Sequence, residues 1–126
     1  LASLAPLLSG KDVVSARAQV RDVYMDDMLA RYIVALVNAT REPAKWLGEG
    51  ADWIDYGASP RATLALARSA RALAYLQRRD FVEPGDIMAM TASVLQHRIG
   101  LSFAARSAGV NINEIIRRLV AAVPVP

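Results

Sequence analysis

The sequence predicts an all-α protein, a compact bundle of about five helices with one longer loop at about residues 42–57. Its 126 residues suit one domain with a hydrophobic core. Hydrophobic residues make up 54% of the chain but aromatic residues only 6%, which favours helices over a sheet. Apolar residues recur at three- and four-residue spacing between clear helix-start and helix-stop signals. No convincing strand is expected.

The first two helices come before the loop. Ser9 and Asp12 form an S-x-x-D start signal, so a helix is expected from there through about Asp22. Five apolar residues are expected to face inward from this helix: Val13, Val14, Ala16, Val20 and Val23. A second helix is predicted from about Asp26 to Arg41, because apolar residues form a broad stripe along it.

The segment from Glu42 to Gly57 differs from its neighbours in composition. Proline and glycine interrupt it repeatedly, and Trp46, Trp53 and Tyr56 lie among acidic residues. We expect a loop with a short helical turn, packed against the bundle by its aromatic residues.

The third helix is predicted to start at Ser59-Pro60, because a serine hydroxyl can cap a backbone N–H and proline needs no donor in the first turn. It is expected to run to about Arg79. One face is predicted to be apolar: Ala62, Leu66, Ala70, Leu73 and Leu76. The other face is predicted to be basic: Arg61, Arg68, Arg71, Arg78 and Arg79. No acid interrupts this segment, which indicates an anionic partner.

Two further helices complete the predicted bundle. Pro84 and Asp86 mark the start of the fourth helix, and His97, Arg98 and Gly100 mark its end. The last helix is expected to begin after Asn111, with Glu114 completing a capping box, and to stop before Pro124.

Arg61 breaks a local rule. It lies in the first turn of the third helix, where the helix dipole disfavours a cation by a few tenths of a kcal/mol, up to about 1. The same helix end attracts anions, because its free N–H groups point outward, and an arginine beside them could clamp a phosphate. The residues alone leave two interpretations, a solvated side chain or a phosphate contact.

Several kinds of chemistry are not indicated. The phosphate-binding G-x-x-x-x-G-K-[ST] loop is missing, since Ala5 replaces the first glycine and Asp12 replaces the hydroxyl. The chain has no cysteine and a single histidine, His97, so no metal site is predicted. Its acidic clusters lack the alternation of a calcium loop and are expected to be solvated. By itself the chain is not expected to be an enzyme.

Targeting signals are equally absent from the sequence. No apolar run reaches the roughly 18–20 residues that span a bilayer, and the opening LASLAPLLSG has no basic flank. We therefore expect a cytoplasmic protein. The chain does not begin with methionine, and we expect it to be a fragment of something longer.

The stretch GASPRATLALARSARALAYLQRRDFVEPGDIMAMTASVLQHRI, residues 57–99, resembles the carboxy-terminal helical lid of MoxR-family AAA+ ATPases. In that lid a G-A-S-P-R-A start, an R-D-(aromatic)-V-x-P-x-D linker and a V-L-x-H-R ending recur in this order. Weaker agreement covers nearly the whole chain. The resemblance implies an AAA+ lid-like fold, with residues 1–126 as a single lid domain and 1–8 as a linker from an ATPase core that this chain lacks. Glu83 and Gly85 depart from the pattern, so a looser start is expected for the fourth helix.

The resemblance also implies a site and partners. It makes Arg61 the sensor 2 residue, a catalytic contact to the terminal phosphates of ATP-Mg held by the separate core, with Ser59 and Pro60 beside it in the nucleotide-binding segment. Four other arginines become candidates for inter-subunit or core-to-lid ion pairs: Arg68, Arg71, Arg78 and Arg79. The implied partners are the AAA+ core, neighbouring subunits of a homo-oligomeric ring, and client proteins that a chaperone-like ATPase remodels or matures.

Two other function classes remain open. A helical nucleic-acid-binding module would fit the arginine face and a pI of about 9.7, although the net charge is only +3 and few amide side chains are available to read bases. A protein-docking bundle would use Trp46 and Trp53 as contacts, because exposed tryptophans often anchor interfaces.

Overall fold

The computed structural model describes residues 4–126; residues 1–3 of the predicted linker 1–8 lie outside this range. The elements in chain order are α1 (Gly10–Asp22), α2 (Asp27–Ala39), α3 (Pro43–Trp46), β1 (Ile54–Tyr56), α4 (Arg61–Leu76), α5 (Pro84–Leu95), β2 (Gly100–Leu101), α6 (Phe103–Ser107) and α7 (Ile112–Ala122). A 3₁₀ turn, Ala51–Trp53, precedes β1. The prediction of a helical bundle is confirmed, and α3 is the predicted helical turn of the loop.

The helices α4 and α5 form a hairpin at the centre of the bundle. Helix α4 also packs on α1 and α2, while α5 packs on α7. The buried face of α4 consists mainly of small residues at four-residue spacing: Ala62, Leu66, Ala70 and Ala74. Their short side chains bring neighbouring helices close. The prediction of an inward Leu76 is wrong, because α4 ends at this residue and leaves it 76% exposed.

Helix α1 lies at the edge of the bundle. Its start is capped as predicted: the Asp12 N–H donates to Ser9 Oγ at 3.2 Å and the Ser9 N–H donates to Asp12 Oδ2 at 2.7 Å. The prediction that Val13 and Val14 face inward is wrong, since they are 45% and 67% exposed, and Ala16 and Val20 are only half-buried. Only Val23, just beyond the helix, reaches the core. One side of α1 packs on α4, and the other faces solvent.

Two short strands were not predicted. Strand β1 pairs antiparallel with β2, with Ile54 opposite Leu101 and Tyr56 opposite Gly100. Strands of three and two residues are too short to show an alternating pattern in the sequence. Because β1 comes shortly before α4 and β2 shortly after α5, the pair holds these two helix ends at the same end of the hairpin. A Cβ on Gly100 would lie 2.1 Å from the Tyr56 ring, so a larger residue there would displace this exposed side chain.

The C-terminal region also differs from the prediction in detail. The segment expected to be a loop contains α6, whose start is capped by the Ser102 hydroxyl, which accepts from the Ala105 N–H at 3.1 Å. Asn111 caps α7 as predicted by accepting from the Asn113 N–H at 2.8 Å. Glu114, however, pairs with Arg117 on the same helix.

The segment before α4 is fixed to the end of α2. Thr40 is completely buried; its hydroxyl donates to the Val37 carbonyl at 2.7 Å and accepts from the Ala58 N–H at 2.9 Å. Gly57 passes so close that a Cβ there would lie 2.4 Å from the Thr40 carbonyl oxygen. The glycine and alanine that open the G-A-S-P-R block thus allow the chain to approach α2 closely.

The turn between α4 and α5 contains a residue in the left-handed region. Arg78 has φ 60°, and it follows the helix end in the position that usually holds glycine. The Arg78 N–H donates to the Tyr75 carbonyl and the Arg79 N–H to the Ala74 carbonyl, both at 2.9 Å. These two bonds form a Schellman motif.

A buried ion pair closes the α4–α5 hairpin. Asp86 is 4% exposed and accepts from Arg79 Nη1 at 2.8 Å and from Arg79 Nη2 at 2.6 Å. It also accepts from the Glu83 N–H at 2.8 Å, so α5 is capped despite the unusual residue at position 83, contrary to the expectation of a loose start. The hydrogen bonds from Arg79 lower the pKa of Asp86 below its usual value, against the opposing effect of burial.

Replacing Gly57 with alanine is expected to destabilise the protein by about 2–3 kcal/mol, because the new methyl group meets the Thr40 backbone. Urea unfolding gives this change in the free energy of unfolding. Gly85 is the matched control, since nothing lies within 4 Å of its added Cβ. Gly85→Ala is expected to leave stability unchanged or raise it by up to about 1 kcal/mol. If Gly57→Ala and Gly85→Ala changed the free energy of unfolding equally, the close approach of Gly57 to Thr40 would be contradicted.

Replacing Arg78 with glycine is expected to stabilise the protein by about 0.5–1 kcal/mol, because glycine adopts a positive φ without steric cost. Arg78→Ala removes the same charge but keeps the Cβ, and it should leave the free energy of unfolding nearly unchanged. Thermal unfolding of both variants measures the difference. A gain of the same size in both variants would point to the lost charge instead of the backbone.

Replacing Asp86 with asparagine is expected to cost about 2–3 kcal/mol at pH 7, because Arg79 loses its ionised partner. The pKa of Asp86 is lowered on folding, so its contribution is complete above the unfolded value near 3.9 and is lost as the pH falls through the folded value. Urea unfolding from pH 7 to pH 2 should therefore show that the free energy of unfolding falls less steeply with decreasing pH in Asp86→Asn than in wild type. Asp55→Asn, an exposed control, should keep the wild-type slope.

Candidate functional site

The candidate site is the N-terminal end of α4, where Ser59, Pro60 and Arg61 are all exposed. Pro60 has helical angles, φ −56° and ψ −23°, and Arg61 is the first residue of the helix, within one residue of the predicted start. The prediction that the Ser59 hydroxyl caps this helix is wrong, because no side chain caps it. The Ser59 carbonyl instead accepts from the Ala62 N–H at 2.8 Å. The N–H groups of the first turn thus have no side-chain acceptor.

The backbone around these three residues is firmly held. Ala58 and Ala62, which flank them, are both completely buried. Ala58 is also bonded to Thr40, as described above, and β1 ends two residues earlier, at Tyr56. The exposed segment is therefore short and anchored on both sides, so its direction is fixed by the core.

The guanidinium of Arg61 is available to a ligand. In residues 4–126 it takes part in none of the four ion pairs, and no acidic residue lies in the first turn of α4. The Ala62 and Thr63 N–H groups are bonded to the Ser59 and Pro60 carbonyls, but a cation at the positive end of a helix dipole still forms a surface suited to an anion. The arrangement can donate several hydrogen bonds to phosphate oxygens.

The four other arginines of α4 and the following turn are not equivalent. Arg71 Nε donates to the Val23 carbonyl at 3.0 Å, and Arg79 is paired with Asp86, so both bond within the chain. Arg68 and Arg78 are exposed. Among residues 4–126, the continuous basic face expected from the sequence is thereby reduced to Arg61 and Arg68 on α4 and Arg78 in the turn after it. An interface role for Arg68 and Arg78 remains a prediction.

The loop at residues 42–57 is held by α7. Arg118 Nη2 donates to the Leu47 carbonyl at 3.1 Å and to the Glu49 carbonyl at 2.6 Å, and its guanidinium carbon lies 5.3 Å from the centre of the Trp53 ring. Trp46 and Trp53 are half-buried against the core. The tryptophans serve mainly to pack the loop, which weakens the docking role considered from the sequence. The contact of Arg118 with the loop was not predicted, since nothing in the sequence links this residue to a loop about 70 residues earlier.

Residues 4–126 lack two other features that a function could depend on. Among residues 4–126, no group of three or more histidine, cysteine, aspartate or glutamate side chains is placed to hold a metal ion. Within the same range, no helix is both long enough and apolar enough to cross a membrane.

Comparison with known proteins agrees with the fold. Residues 51–119 match the sequence model of the AAA lid domain. The chain is 33% identical over 124 residues to Uncharacterized protein YeaC of Bacillus subtilis, covering 98% of this chain and 36% of that protein. It is 31% identical over 121 residues to Chaperone MoxR1 of Mycobacterium tuberculosis, covering 95% of this chain and 32% of that protein. It is 46% identical over 79 residues to Protein MoxR of Paracoccus denitrificans, covering 59% of this chain and 23% of that protein.

A solved structure has the same fold. The crystal structure of a protein assigned as an ATPase, from Cytophaga hutchinsonii, matches with a TM-score of 0.89 and 38% identity, over 92% of this chain and 36% of that one. The chain thus spans about a third of the length of the first two relatives, 36% and 32%, and of this structure. Since the family match covers more than half of the chain, this protein belongs to the AAA lid domain family and is a lid of the MoxR type.

Proposed function

We propose that this chain is the nucleotide-sensing lid of a MoxR-type AAA+ ATPase, which closes over ATP and Mg²⁺ bound by a separate core domain. One observation carries the proposal: α4 begins with an exposed Arg61 that has no ion pair among residues 4–126, at a helix start that no side chain caps and on an anchored backbone. A solvated arginine is the alternative, but it does not account for the anchoring by Thr40 and Gly57 of the segment just before it.

In this function Arg61 is the residue that contacts the terminal phosphates. Its planar guanidinium can donate two parallel hydrogen bonds to phosphate oxygens, and the first-turn N–H groups and the helix dipole add to the attraction. The Ser59 hydroxyl, which caps nothing, is free to donate as well. Bound ATP supplies the phosphoanhydride that is hydrolysed. Arg61 stabilises the negative charge that develops on the terminal phosphates during phosphoryl transfer.

The structure of the lid allows this contact to become a movement. Arg61 belongs to α4, and α4 is fixed to α2 through Thr40 and to α5 through the Arg79–Asp86 pair. A force on Arg61 therefore moves the bundle as one body, the kind of domain closure that distinguishes ATP from ADP. The charge contact and the rigid helix together make the lid a sensor.

The exposed side of α1 is proposed to contact the rest of the ATPase. An open groove of about 1100 Å³ runs between α1 and the end of α4, and Val13, Val20 and Leu76 line part of it. Arg17, Arg21 and Arg68 also line it. The apolar and basic residues that line the groove suit a protein surface with acidic residues. The partners proposed here are the AAA+ core and neighbouring subunits of a homo-oligomeric ring, and the whole assembly is proposed to remodel or mature client proteins.

Amide-resonance titration of this chain with Mg²⁺-ATP, ADP and a short DNA duplex tests the proposal. Wild type should show shifts centred on residues 59–63, larger with ATP than with ADP. Arg61→Ala should weaken ATP binding by about tenfold or more, the cost of one charge-assisted contact. Arg31→Ala is the matched control, because Arg31 is exposed on α2 and lacks an ion pair among the described residues.

The outcomes separate the function classes. Equal ATP affinity of the two variants, or shifts that DNA produces along the whole arginine face of α4, would contradict a phosphate sensor at Arg61. If the isolated lid binds no nucleotide, the same variants are compared in a chimera in which this chain replaces the lid of Chaperone MoxR1. There Arg61→Ala should lower kcat at least tenfold relative to Arg31→Ala, and equal turnover would refute the proposal.

A further inference from the structure

Three large apolar side chains are exposed together at the end of the molecule opposite Arg61. Tyr24 is 63% exposed, Met28 60% and Phe81 45%. Tyr24 and Phe81 come from distant segments that meet as an isolated parallel bridge. We call this surface, formed by Tyr24, Met28 and Phe81, the aromatic tip. Single exposed apolar residues are common on proteins, but a cluster of them indicates a contact surface.

The backbone of the aromatic tip is held rigidly. The Tyr24 N–H donates to the Asp80 carbonyl at 2.8 Å, and the Val82 N–H donates to the Tyr24 carbonyl at 2.9 Å. Arg79 Nη1 donates to the Phe81 carbonyl at 3.0 Å. Because the two segments are fixed to each other, the aromatic side chains lose little further freedom when a partner binds, which favours affinity.

The aromatic residues are not needed to fill the core. Their neighbours Val23 and Val82 are each 5% exposed and supply the buried contacts of the two segments. In extended backbone, successive side chains point to opposite sides, so inward valines place Tyr24 and Phe81 outward. The packing thus explains why the two rings are on the surface together, where the Phe81 ring centre lies 5.9 Å from the guanidinium carbon of Arg79.

Aspartates are frequent near the aromatic tip in sequence. Four of them lie within three residues of Tyr24 or Phe81: Asp22, Asp26, Asp27 and Asp80. The Tyr24 hydroxyl donates to Asp26 Oδ2 at 3.4 Å, and the negative charge of Asp26 raises the pKa of that hydroxyl. Arg79 is paired with Asp86 and the half-buried Arg71 bonds to the Val23 carbonyl, which leaves Arg21 and Arg78 as the exposed cations of these two segments. This end is therefore acidic, although the chain as a whole carries a net charge of +3.

We propose that the aromatic tip is a docking site for a protein segment that carries apolar side chains next to lysine or arginine. The two rings and Met28 offer apolar contact area, and the carboxylates select a basic partner. A nucleic acid or an anionic membrane would be repelled by the same charges. Helix α4, at 16 residues, places the tip about 24 Å from Arg61, so this site is separate from nucleotide sensing and does not depend on it.

A random peptide library displayed on phage and selected on this chain tests the proposal. The double variant Tyr24→Ser with Phe81→Ser serves for counter-selection, and it should fold because Val23 and Val82 are kept. We expect enriched peptides to combine aromatic or aliphatic residues with lysine or arginine. Synthetic copies should shift the amide resonances of residues 24–28 and 80–82, and should bind the double variant at least about tenfold more weakly.

Two matched variants make the result specific. Val14→Ser with Leu64→Ser removes exposed apolar residues elsewhere and should leave affinity for the same peptides unchanged. Asp27→Asn with Asp80→Asn should weaken binding several-fold and reduce its dependence on salt. Enrichment of acidic peptides, no enrichment over the double variant, or equal binding to that variant would overturn the proposal. Concentration-dependent self-association that the double variant abolishes would assign the surface to a second copy and overturn it as well.

Discussion

The buried carboxylate of Asp86 is the constraint on which the rest of the lid depends. A charge that is almost excluded from water must be paired, and Asp86 is paired twice, with the guanidinium of Arg79 and with the free N–H at the start of α5. Arg79 in turn holds the Phe81 carbonyl. One ion pair therefore sets the angle of the turn between α4 and α5, and with it the direction of the central helix.

Helix α4 connects two surfaces of opposite charge. At its start an exposed arginine lies at the positive end of the helix dipole, and beyond its end the aromatic tip lies among aspartates in sequence. Its alanine-rich buried face lets α5 and α2 pack closely on it, which makes the connection stiff. If both proposed sites operate, a partner at the tip and a nucleotide at Arg61 act on the same rigid body, although neither site requires the other.

The remaining elements mainly hold this hairpin in place. Strands β1 and β2 join the open ends of α4 and α5, and Thr40 fixes the approach to α4. Arg118 of α7 bonds to two carbonyls of the loop and lies against Trp53, so the loop that interrupts the bundle is part of the packing. Helix α1 is the exception, because its outer side is covered by nothing in the described chain.

The sequence by itself determined the helical class, most helix starts and the exposed place of Arg61, because these depend on local signals. Ser9, Asn111 and the Pro84–Asp86 pair act within one helical turn of themselves, and spacing alone shows which faces are apolar. The resemblance of the G-A-S-P-R block supplied the family. The exposure of α1, the short strands, and the partners of Arg71, Arg79 and Arg118 were decided only by the tertiary structure. These features depend on which distant segments meet, and a charge, a valine or a glycine has no local property that reveals its partner.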